Sequence, residues 1–137
     1  MVKIKSGKGF TLLECLIASV VLFVALGLAI GATQSMHNSN ELAYQVVTAT
    51  EDAQRAIEQM RQISTTGNFP ANVTTQFPAG QPIAGFTALD GETVVPTYVN
   101  STSNPLNITV TVTWNSVTKG GNSRVISRQL TTLLTQR

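Results

Sequence analysis

An α+β fold, in which one long helix carries a small antiparallel sheet, follows from three features of this 137-residue sequence. The stretch from Cys15 to Ala32, CLIASVVLFVALGLAIGA, is apolar apart from the hydroxyl of Ser19. Polar sequence then runs on to Ile63 with apolar residues returning every three or four places, and no proline or glycine lies between Gly31 and Gly67. Later, Leu106, Ile108, Val110, Val112 and Trp114 alternate with Asn107, Thr109, Thr111, Thr113 and Asn115. That period of two marks a strand with one buried and one wet face.

The first element is the apolar half of the helix, residues 10–33. About 20 apolar residues at 1.5 Å each span roughly 30 Å, the hydrocarbon thickness of a bilayer. Lys3, Lys5 and Lys8 precede it in a basic leader, residues 1–9, and the next cation is Arg55. This asymmetry predicts a single pass with the leader in the cytoplasm and the remainder exported. The overall charge of +2 belongs to that leader: from Phe10 on, six cations face seven acids. No basic face remains to suggest nucleic acid. The single cysteine, Cys15, excludes an intramolecular disulfide. Large residues and Glu14 before Cys15 do not suit a lipoprotein, and it reads as a small apolar residue of a packed helix. A removable signal peptide is the competing reading, with Ala29-Ile30-Gly31 as the cleavage site, but the apolar run is longer than the usual 7–15 residues.

The second element, residues 34–66, is the amphipathic half of the same helix. Met36, Ala43, Val46, Val47, Ala53, Ala56, Ile57, Met60 and Ile63 form the apolar stripe, with Arg55, Glu58 and Gln59, and Asp52 with Ala56, assigned to the other face. Thr66-Gly67-Asn68-Phe69-Pro70 is a stop signal. A helix from Phe10 to Ile63 would run about 80 Å. A signal peptide needs no such continuation. Residues 67–137 form the third part, rich in loops. PAGQP and DGETVVPTYVN enclose a short strand or two; Leu106–Trp114 is the clearest strand; VTKGGN turns, and SRVISRQLTTLLTQ returns. The natural cover for the sheet's apolar face is the helix stripe.

Catalytic equipment is scarce. His37, the only histidine, has no neighbouring cysteine or acid pair and reads as solvated or helix-packed. No metalloprotease, nucleophile-elbow, phosphate-loop or CxxC motif occurs. Asp90 and Glu92 in LDGET have the chemistry to ligate a calcium ion with nearby carbonyls, but Asp before Gly is first a turn signal. The Asn-x-Thr triplets at Asn72, Asn100 and Asn107 are expected by chance in so threonine-rich a chain. Gly27 and Gly31 form a G-x-x-x-G, which permits close helix approach or local softness of the helix. A non-enzymatic role without metal or cofactor is expected.

Glu14 stands at the start of the apolar run, where a lone carboxylate costs roughly 2.5–3.5 kcal/mol at a helix centre in hydrocarbon. Thr11-Leu12-Leu13-Glu14 fits a capping box, with Phe10 as hydrophobic staple. Gly9-Phe10-Thr11-Leu12-Leu13-Glu14, behind lysines and ahead of about 20 apolar residues, resembles the processing signal of type IV prepilins and pseudopilins. The helix with a threonine-rich sheet is similar to that family's architecture throughout the chain. The resemblance implies that a membrane-embedded prepilin peptidase cuts after Gly9 and methylates the new amine of Phe10. It also implies that Glu14 pairs with the Phe10 ammonium of a neighbouring pilin or pseudopilin, and that an inner-membrane assembly platform moves the subunit from lipid into an extracytoplasmic filament. The single cysteine precludes the C-terminal disulfide loop of many abundant pilins. Gly27 and Gly31 lie where major pilins commonly carry a proline, and the calcium loop of major secretion pseudopilins is not evident. The ending is similar to minor pilins of the pilus-modification type and minor type II secretion pseudopilins, so the expectation is a low-abundance subunit. The rival expectation is a secreted or membrane-tethered β-domain that binds a ligand and makes no filament.

Overall fold

The computed structural model describes residues 11–117 and 122–136. Helix α1 (Leu12–Ser64) is 53 residues long, followed by a short helix α2 (Ala71–Gln76). Strands β1 (Thr93–Tyr98), β2 (Leu106–Val117) and β3 (Ser123–Leu134) form one antiparallel sheet in the order β1-β2-β3. The expected α+β arrangement, a long helix packed against a small antiparallel sheet, is what the chain adopts. Most of the VTKGGN turn lies outside the described residues. The chain divides into two units, Met1–Asn40 and Glu41–Arg137, with α1 contributing to both.

In the second unit, α1 gives Ala49, Ala53, Ala56, Ile57 and Met60 to the core, and the sheet gives Val94, Leu106, Ile108, Val110, Val112, Trp114 and Leu134. Alanine at three of the five helix positions leaves room for the larger sheet side chains to pack against the helix backbone. The alternation of β2 is complete: every second residue from Leu106 to Ser116 is buried. Trp114 is 1% exposed, and its indole N–H donates to the Gln45 side-chain oxygen at 3.1 Å, so burial leaves no orphan donor.

Several assignments of helix face need correction. Asp52, placed on the polar face, is 2% exposed, and Ala56 is buried beside it. The seam runs through Ala49, Asp52, Ala53, Ala56, Ile57, Met60 and Ser64 at spacings of three and four, and Asp52 belongs to it by position whatever its charge. Conversely, Val47 of the expected stripe is exposed because it sits about 200° around the helix from Ala49. Met36 and Ala43 are exposed as well, both preceding the first core residue of α1.

Helix α2 occupies sequence read as loop. Its residues ANVTTQ have poor helix propensity, and it is fixed by what it does for α1. The Asn72 side-chain amide donates to the carbonyls of Ile63 at 2.6 Å and Thr66 at 2.9 Å, capping the end of the long helix, while Val73 enters the core.

Candidate functional site

Thr11-Leu12-Leu13-Glu14 forms both halves of a capping box. The Glu14 amide donates to the Thr11 hydroxyl at 3.3 Å, and the Thr11 amide donates to Glu14 Oε2 at 3.5 Å. The second bond is long, Oε1 takes no partner among the described residues, and Glu14 is exposed. The cap therefore does not exhaust the carboxylate. Lys3, Lys5, Lys8, Gly9 and Phe10 lie outside the described residues.

Beyond the cap, α1 turns large apolar side chains outward on every side: Leu12, Leu13, Ile17, Val21, Leu22 and Phe23 are each more than half exposed. This part of the helix is long and apolar enough to cross a membrane. Ser19 within the run and Thr33 just after it return their hydroxyls to the helix carbonyls of Leu16 and Ala29, so neither needs a partner from the surroundings. Cys15 is a free, exposed thiol, and a Cβ at Gly27 or Gly31 would meet nothing.

A second feature, invisible to motif search, lies in the Glu41–Arg137 unit. Asp52 of α1 and Glu92, just before β1, are separated by forty positions yet interact. Asp52 Oδ1 accepts from Arg55 at 3.3 Å, and Glu92 Oε2 accepts the Leu89 amide at 3.1 Å. The remaining oxygens, Asp52 Oδ2 and Glu92 Oε1, are buried and accept no hydrogen bond from a donor among the described residues. Burial first, and then the Asp52 charge, push Glu92 above the usual carboxylate range, against the backbone amides of Leu89 and Ala88 that hold it down. The Asp90 side chain is exposed and takes no part, while its carbonyl accepts the Asn115 amide at 2.8 Å. No group of three or more His, Cys, Asp or Glu among the described residues is placed to hold a metal. His37 stands exposed on α1.

Comparison with protein-family models, curated proteins and solved structures gives no match.

Proposed function

We propose that this chain is a low-abundance filament subunit of the type IV pilin or pseudopilin kind, released from its leader between Gly9 and Phe10 and assembled through α1. The observation that carries the reading is a capped helix whose first half is apolar on all faces, continuous with a second half that is apolar on one. An all-round apolar helix needs lipid or several partner helices, and the reading supplies both in turn: bilayer before assembly, a bundle of like helices after it. Cleavage after Gly9 puts a new ammonium on Phe10, next to the positive end of the α1 dipole, where a cation is unfavourable. In an apolar surrounding a carboxylate from an adjoining subunit offsets that charge, and Glu14, with one unengaged oxygen, is the acid nearest the new terminus.

Co-expression with a prepilin peptidase should remove MVKIKSGKG and leave an N-methylated phenylalanine, read by mass spectrometry, and Gly9→Ala should slow the cut. Glu14→Val should still be cut but should fail to enter filaments. An intact leader beside an active peptidase overturns the proposal. A mature terminus at Ala32 or Thr33 instead selects the secreted β-domain reading, because it discards the helix half that assembly requires.

A further inference from the structure

We propose that the outer edge of β3 is a strand-docking surface, and that its occupant is an extended acidic segment of a different protein, added as a fourth strand.

The two edges of the sheet are treated differently. On β1, Pro96 has no amide to offer, and the loop before the strand lies along it: the Gly80 amide donates to the Pro96 carbonyl at 2.9 Å and the Ile83 amide to the Val94 carbonyl at 2.8 Å. That edge is closed. β3 is twelve residues long and pairs with β2 in unbroken register from Ser123↔Val117 to Leu134↔Leu106. Its sequence, SRVISRQLTTLL, has no proline or glycine, and the register leaves no bulge. Among the described residues no backbone group outside the sheet bonds to it. In an antiparallel pair every second residue of an edge strand directs its N–H and C=O outward, so β3 offers a ladder with one side missing. Proteins guard such edges by shortness, bulges, proline, a covering segment or charge, and only charge is available here.

The charge has a pattern. By register Arg124 faces Ser116 and Arg128 faces Val112, so both stand on the α1 side of the sheet, with Ile126 between them. Both are exposed, and neither has an ion pair among the described residues. Ile126 and Leu130 on this face are only half-buried, and beside Leu130 and Thr132 an open groove of about 620 Å³ separates the strand from Gln54, Ile57 and Glu58 of α1. On the opposite face Val125 and Leu133 remain 69% and 61% exposed. A fourth strand would cover both faces at once. Directly opposite positions across a pair lie about 5 Å apart, so a strand with carboxylates four residues apart and an aliphatic residue midway would match Arg124, Ile126 and Arg128 in turn. A second copy of this chain cannot supply it, since none of its three strands contains Asp or Glu.

The test uses the full chain in lipid nanodiscs and a fluorescent peptide, acetyl-TETVTETVT-amide, with lysine-for-glutamate and backbone N-methylated versions alongside. The glutamate peptide should bind by fluorescence anisotropy, slow amide exchange in Ser123–Leu134, and lose about tenfold in affinity against the double variant Arg124→Ser, Arg128→Ser. N-methylation should abolish binding, because it removes the backbone ladder and leaves the charges. Equal binding of the lysine and glutamate peptides, or binding without protection of β3, overturns the proposal. So does a wild-type chain that ignores the peptide while the double variant self-associates in size-exclusion chromatography, since the arginines are then guards and not receptors.

Discussion

Replacing Glu92 by Gln tests the energetics of the buried carboxyl pair. The substitution keeps a side-chain oxygen to accept the Leu89 amide, removes the charge that burial and Asp52 oppose, and supplies a donor in place of the second oxygen. Wild-type Glu92 binds its proton more tightly in the folded chain than in the unfolded one, where the ordinary value of 4.5 applies. The folded state therefore holds more protons than the unfolded state from about that pH up to the raised folded value. Stability must fall as pH rises through this window, with a slope of at most about 1.4 kcal/mol per pH unit for one proton. Above the window the penalty stands in full; below 4.5 both states are protonated and it vanishes. Arg55 offsets little of it, because its side chain is 70% exposed and solvent screens the pair.

At pH 7 the Gln variant should be more stable than wild type by about 1–2 kcal/mol, the value of a hydrogen bond to a charged acceptor gained where repulsion was lost. For a domain near 100 residues that raises Tm by several degrees. Trp114 is the only tryptophan and lies in the core, so its emission reports unfolding without a label. Unfolding of the full chain in detergent from pH 4 to 8 should show the wild-type curve falling toward neutrality and the variant flat, the two meeting near pH 4. A variant less stable than wild type at pH 7, or a wild-type curve without that slope, would refute the argument.

Two further outcomes follow from the same region. Gly91 holds φ at +60°, and a Cβ there would run into the Asn115 side chain, so Gly91→Ala should cost about 1–2 kcal/mol in urea unfolding, with Asn115→Ala recovering part of the loss. Burial pushes the Tyr98 hydroxyl up to about 12, while it donates to the Phe77 carbonyl at 2.7 Å. Its folded value lies above the unfolded 10, so its stabilisation is present below pH 10 and is lost as pH climbs toward 12; the late step in absorbance at 295 nm should vanish in Tyr98→Phe.

What the sequence disclosed was whatever is encoded locally. The alternation from Leu106 to Trp114 fixed β2, because a one-residue slip would have turned every apolar residue to water. The capping box at Thr11–Glu14 was equally legible, since its two bonds span three residues. Asp52 was misread because its type suggested solvent while its spacing from Ala49 and Ala56 placed it in the seam. Its partner Glu92 lies on another element, and no local pattern announces a pair forty positions apart. The same holds for Gln45, whose role is to receive the Trp114 indole, and for α2, whose weak helix formers are held by the two bonds Asn72 makes to the end of α1. Tertiary context outweighs propensity at each of these points.

The two halves of α1 pose different burial problems. Where α1 meets the sheet, the seam is one residue wide in places and built largely of alanine, so a single sheet covers it and leaves Glu51, Gln54, Arg55 and Glu58 in water. From Leu12 to Ile30 there is no dry seam and no wet face: Leu12, Leu13, Val21 and Leu22, all exposed, point to four different sides of the helix within its first three turns. A groove on one partner would cover one side and leave the others exposed at about 25 cal/mol per Å² of apolar surface. Only a surrounding that is apolar in every direction removes that cost, which is why lipid and a helical bundle suit this segment and a one-sided docking partner does not. In such a surrounding Glu14 becomes the exception that needs a reason. Its capping bond at 3.5 Å is too weak to be the whole of one, and the proposed pairing with the ammonium of an adjoining subunit would give the remaining oxygen a partner.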